Sequence, residues 1–178
     1  MKKPISFKGF IKILKKYDLI VLGELHGTKE IPELMKKIIE SLLDEVSLIF
    51  LEIPMHQQRY LNNCLTSEEE SSLYEIPFFE HPSKDGRGSK EYLLLIQFLK
   101  KMEKKKIFCI DPEKPFHRDY TMYQNIIKNM GNSKGIFISG NVHACKQPLE
   151  MQGKLFKPCA YYLKRILKQR MVSVNIVV

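Results

Sequence analysis

Four short runs in this chain are apolar at nearly every position: YDLIVLGE at 17–24, VSLIFLE at 46–52, KIFCID at 106–111 and GIFIS at 135–139. A fifth, MVSVNIVV, closes the sequence. A strand with one wet face alternates apolar and polar residues, so a run without alternation implies cover on both faces. The segments between the runs carry helical periodicity. Ile31, Leu34, Met35, Ile38, Ile39 and Leu42 share one face, with Pro32 near the start. A helix is expected from about Lys90 to Lys104. Another presents Tyr123, Ile126, Ile127 and Met130 and stops at Gly131. A last one is expected near 158–169. Strands alternating with helices form right-handed βαβ crossovers. The expected fold is therefore α/β: one domain over 1–178, with a mostly parallel sheet of about five strands and helices on both faces. The stretch 56–89, with TSEEESS and FFEHPSKDGRGS, reads as irregular and is expected to be a lid or flexible insertion.

At 178 residues, 44% hydrophobic and 28% charged, the chain can bury one core without staples, which excludes a disordered or low-complexity protein. The net charge of +9 comes mostly from lysine clusters such as Lys15–Lys16 and Lys104–Lys106. These sit on the polar sides or C-terminal ends of expected helices, where they solvate the surface and favour the helix dipole. They are not interleaved with stacking aromatics, so no specific nucleic-acid partner is expected. No apolar run reaches 18 residues, so no membrane span is expected. Lysines interrupt the N-terminus before a signal-peptide core can build up, and the chain is expected to be cytoplasmic. Its four cysteines are accordingly read as reduced thiols, and none is paired as C-x-x-C.

Chemistry-bearing residues gather where the expected strands end. Glu24 and His26 follow the first, Glu52 closes the second, Asp111 and Glu113 follow the third, and Asn141 and His143 follow the fourth. In a parallel sheet those carboxyl ends share one edge, the edge where α/β proteins bind ligands. Each acid alone could equally be the cap of the next helix. Together they can do two things. An imidazole beside a carboxylate can take a proton from water. Histidines and carboxylates can also hold a divalent metal such as manganese, cobalt or zinc, with Glu24, His26, Glu52 and His143 as ligands. In the D-G-R-G-S turn, Asp85 and Arg87 precede Ser89, a candidate N-cap. There Arg87 would clamp an anionic group, or else pair with Asp85 at the surface. The chain contains no G-x-G-x-x-G, P-loop, G-x-S-x-G or H-E-x-x-H motif. Cys145 lies two residues from His143, without a geometry that would make it a nucleophile.

The pieces V-L-G-E-L-H-G-T (21–28), F-L-E-I-P (50–54), K-D-G-R-G-S (84–89) and S-G-N-V-H-A (139–144) resemble, in order, those of ChaN-like domains. That family belongs to the superfamily that also holds Tiki/TraB proteases and erythromycin esterases. By this resemblance Glu24 and His26 match the water-activating acid–histidine motif. Glu52 matches the carboxylate after the second strand, His143 the late histidine and Arg87 the arginine of D-G-R. The esterases have one more residue between acid and histidine, G-E-x-x-H-G. The relatives diverge in activity: metal-dependent proteolysis, lactone opening, and haem binding in iron uptake. The expectation is a hydrolase-like protein acting on a small-molecule or peptide substrate with an ester, lactone or amide bond, with catalytic His26, Glu24, Glu52, His143 and Arg87. Arg87, Asp85, Asn141 and Asp111 would contact substrate. The alternative is a haem- or iron-binding protein without catalysis. Nothing in the pattern sets the oligomeric state.

Overall fold

Consecutive apolar positions along a strand can all be buried only when helices pack on both sides of the sheet. The computed structural model, which describes residues 4–80, 88–102, 105–112 and 116–177, shows that arrangement. In chain order its elements are α1 (Phe7–Leu14), β1 (Leu19–Glu24), α2 (Glu30–Glu40), β2 (Leu48–Pro54), α3 (Gln58–Thr66), α4 (Pro77–Glu80), α5 (Lys90–Lys100) and β3 (Lys106–Asp111). They continue with α6 (Arg118–Met130), β4 (Gly135–Gly140), β5 (Leu149–Met151), β6 (Lys154–Phe156), α7 (Cys159–Leu167) and β7 (Met171–Asn175). Five strands form one parallel sheet in the order β3-β2-β4-β1-β7. The single α/β domain with a five-stranded parallel sheet is the expected fold.

Each central strand divides its residues between two cores. Ile20 and Leu22 of β1, Ile49 and Leu51 of β2 and Ile136 and Ile138 of β4 pack beneath α1, α2, α3 and α5. Leu19, Val21, Leu48, Phe50 and Phe137 point the other way, against α6 and α7. Ser89 caps α5 as expected, its Oγ accepting from Tyr92 N at 3.2 Å. Gly131 ends α6 with φ +52°. The four cysteines are free thiols.

Three elements depart from the sequence reading. The lysine-punctuated N-terminus is an amphipathic helix, capped by Ser6 and burying Ile11 and Leu14. Residues 56–80 are not irregular: α3 buries Leu61 and Cys64, and Ile76 and Phe79 join the same core. Gln58 of α3 also covers the free edge of β3. Its Nε2 donates to Ile107 O at 2.9 Å, and its Oε1 accepts from Cys109 N at 2.7 Å. A side-chain amide thus pairs with the edge as another strand would. The third departure is the antiparallel hairpin β5–β6, whose two-residue turn has Gln152 and Gly153 both at positive φ.

Among the described residues no helix is long and apolar enough to cross a membrane.

Candidate functional site

The strand order places the carboxyl ends of β2, β4 and β1 side by side, where the chain leaving β1 passes over β4 to reach β2. Such a reversal opens a crevice at the sheet edge. Glu24 at the end of β1 lies level with Gly140 at the end of β4, and Asn141 N donates to Glu24 O at 2.9 Å. Gly23 brings the two segments together, since a Cβ there would lie 2.6 Å from the Ala144 Cβ.

Two imidazoles flank this edge, each held by a carboxylate. His26 Nδ1 lies 3.0 Å from Glu24 Oε1. An ionised carboxylate only accepts, so in the neutral imidazole Nδ1 carries the proton and Nε2 the lone pair. The Glu24 side chain is 5% exposed and that of His26 19%, so the acid is anchored inside and the ring is partly exposed. On the other side His143 Nδ1 donates to Asp119 Oδ1 at 2.7 Å. Asp119 also accepts from Cys159 N at 2.7 Å. Gly140 separates the rings: a Cβ there would stand 2.8 Å from His26 Nε2 and 3.7 Å from His143 Cδ2.

Arg118, at the start of α6, ties the floor together. Its Nε donates to Asp111 Oδ1 at 2.7 Å, and its Nη2 donates to Asp111 Oδ2 and to Glu52 Oε1, both at 2.6 Å. Nη1 faces His143 Nε2 at 3.2 Å. The other oxygen of Glu52 accepts from Gly140 N at 2.8 Å. Burial opposes the Arg118 charge, but the hydrogen bonds and charges of Asp111 and Glu52 outweigh it and raise its pKa above the usual arginine value. Burial likewise pulls the His143 pKa down. The Asp119 hydrogen bond and the charges of Glu52 and Asp119 more than restore it against Arg118, so the net shift is upward from 6.5.

Glu24, His26, Glu52, Asn141 and His143 all line one cleft of about 760 Å³, with Arg118 and the hairpin residues Met151, Leu155 and Phe156. Asp111 stands behind Arg118 and does not line it. Asn141 points its amide at the closing strand, Nδ2 donating to Ile176 O at 3.3 Å. Arg87, Asp85 and Glu113 lie outside the described residues. Arg118 and Asp119 were not among the sequence candidates. They begin a helix rather than end a strand, and the only signal was that the loop after the third strand opens on the same edge.

The residues do not fit the expected divalent metal. Glu24 is engaged by His26, Glu52 and Asp111 by a guanidinium, and His143 by Asp119. Among the described residues no group of three or more His, Cys, Asp or Glu is arranged to hold one. The thiols do not fit nucleophilic catalysis either. Burial pushes Cys159 well above its usual value and Cys109 up to about 12, and Cys145 donates to Asn141 O at 3.3 Å.

Neither a protein-family model nor a curated protein matches this sequence. Solved structures share its fold. The C-terminal region of Pasteurella multocida toxin, described as having a thiol-protease-like catalytic triad, matches with TM-score 0.68 at 13% identity, over 97% of this chain and 25% of that one. This chain thus spans about a quarter of that toxin chain. ChaN of Campylobacter jejuni, described as binding haem cofacially, matches with TM-score 0.64 at 15% identity, over 99% of this chain and 88% of its own. The type III effector HopBA1 matches with TM-score 0.52 at 15% identity, over 74% of this chain and 70% of its own. At these identities the likeness is one of fold. The ChaN-like fold that the motifs suggested is the fold observed.

The His143 environment predicts a pH signature. A histidine whose folded pKa is raised binds its proton more tightly when folded. Its contribution is full below the unfolded value near 6.5 and is lost as pH rises through the folded value. Urea unfolding from about pH 6 to about pH 9 should show stability falling over that window, and His143→Gln should flatten the fall.

Proposed function

We propose that this chain hydrolyses an ester, lactone or amide in a small molecule or peptide, using two carboxylate-anchored imidazoles on opposite sides of Gly140. The observation that carries this reading is the Glu24–His26 dyad, held through Nδ1, with its ring lining the cleft and its Nε2 beside Gly140. A water beside His26 would give its proton to Nε2 as its oxygen attacks the substrate carbonyl. Glu24 holds the tautomer and offsets the imidazolium charge that forms. His143 suits the opposite duty. Asp119 and Glu52 favour its protonated form, so it would hand its Nε2 proton to the departing alkoxide or amine, and the neutral ring left behind accepts from Arg118 Nη1. Water and substrate become acid and alcohol or amine, and the two rings return to their starting states by proton exchange with solvent. Arg118 is a positioning residue, holding Glu52 and Asp111 in place and facing the ring that donates. No step is assigned to a metal, and the cytoplasm remains the expected compartment.

A second reading, haem binding without turnover, is favoured by the match to ChaN across nearly the whole of both chains. The residues fit it: the cleft has apolar walls in Leu25, Val142, Leu155 and Phe156, and His26, held through Nδ1 by Glu24, leaves Nε2 as the ring nitrogen that would ligate iron. Bound there, haem would supply ligand-binding or redox chemistry at its iron.

His26→Ala should lower turnover of a responsive ester by at least about a hundredfold in a protein that still unfolds cooperatively. Gly140→Ala should lower it by at least about tenfold, because the new methyl displaces the His26 ring. A fully active His26→Ala protein would refute the assignment. For the second reading, haemin titration should give a Soret band saturating at fixed stoichiometry and lost in His26→Ala. A band that never saturates would remove that reading.

A further inference from the structure

The cleft has an unusual mixture of walls. Leu25, Val142, Met151 and Leu155 border it, yet are 53, 39, 46 and 68% exposed, and Phe156 stands among them with its ring edge-on to His143 at 6.3 Å. Large apolar side chains held open around a polar floor mark a surface awaiting an apolar ligand. Met151, Leu155 and Phe156 are presented by the β5–β6 hairpin, whose tight turn fixes its shape.

The floor has the opposite character to the protein as a whole. The chain carries +9, but the hydrogen-bonded groups beneath the cleft are four carboxylates, Glu24, Glu52, Asp111 and Asp119. Arg118, His26 and His143 are their partners, so among the described residues of the floor the acids outnumber the cations even with both imidazoles charged, while Lys154 stands apart on the hairpin. Arg118 is not a free fork for an incoming anion. Its Nε and Nη2 hydrogens go to carboxylates, and Nη1 turns to His143. A carboxylate or phosphate at the reacting end would lose its hydration and meet net negative charge. Turning such a ligand round, toward Lys154 on the hairpin, would put its apolar body on the charged floor.

We infer that the substrate is an uncharged ester or amide of an apolar acid, its alkyl or aryl body lying against the Leu25–Val142–Met151–Leu155 rim and its neutral carbonyl reaching between the two imidazoles. This rests on the hydrolytic reading for the reaction, but the preference in binding stands on the rim and floor alone. The Arg118 guanidinium borders the cleft but is committed to the carboxylates of the floor.

Octanamide and octanoate share chain length and differ in charge, which isolates the claim. Titrated into the full chain at about pH 7 with amide chemical shifts as readout, octanamide should saturate with shifts mapping to 25–26, 140–143 and 151–156. Octanoate should bind at least tenfold more weakly. Shortening the amide should cost on the order of twofold to fourfold per methylene removed. Leu155→Asp, at a surface position, should weaken octanamide at least tenfold with the fold unchanged. Octanoate binding as tightly as octanamide, no saturable octanamide binding, or indifference to Leu155→Asp would each overturn the inference. The two readings fail separately. The predicted binding pattern with no hydrolysis of any p-nitrophenyl ester would remove the hydrolytic reading alone. Hydrolysis with anionic esters preferred would remove this one alone.

Discussion

Two carboxylates buried at the ends of neighbouring strands would repel each other and lack solvation, and the site exists because Arg118 sits between them. Glu52 on β2 and Asp111 on β3 are 3% and 6% exposed, and one guanidinium bonds to both. Removing one partner of such a buried group costs on the order of 3–5 kcal/mol. The placement propagates. His117, with left-handed backbone at φ 59°, turns the chain immediately before α6, so that Arg118 opens the helix under the sheet edge. Asp119, the next residue, then meets His143 Nδ1 and Cys159 N. Anchoring one side chain therefore sets a helix, an imidazole and the start of α7.

The same contact type gives the two histidines different characters. Each has a carboxylate on Nδ1, which fixes its tautomer. His26 has a single acid and a partly open ring. His143 lies between Asp119, Glu52 and Arg118 and is pushed toward its charged form. A ring held toward its charged form beside a second, carboxylate-anchored ring supplies a proton donor and a candidate acceptor at one edge.

The parallel sheet was legible because burial on both faces leaves unbroken apolar runs, and the carboxyl-edge rule then located Glu24, His26, Glu52, Asn141 and His143 around one mouth. The rest lacked a local signal. Gln58 acts through tertiary contact with β3, and a polar residue on a short helix announces nothing of that. The β5–β6 hairpin has only three residues in each strand, too few to show alternation. Arg118 and Asp119 look like the solvated first turn of a helix until the strand order brings α6 beneath the edge. The expected metal ligands have other partners for a related reason: Glu52 is matched to Arg118, a cation the sequence reading had not placed, and Glu24 to His26.

The most direct test of this account is the nitrogen spectrum of the imidazoles in ¹⁵N-labelled protein, followed through a pH titration. Both His26 and His143 should, when neutral, carry their proton on Nδ1, the reverse of the form a solvated imidazole prefers, and His143 should titrate above 6.5. A neutral Nε2–H form at either ring, or a His143 that loses its proton below 6.5, would contradict the carboxylate-anchored dyads on which the mechanism stands.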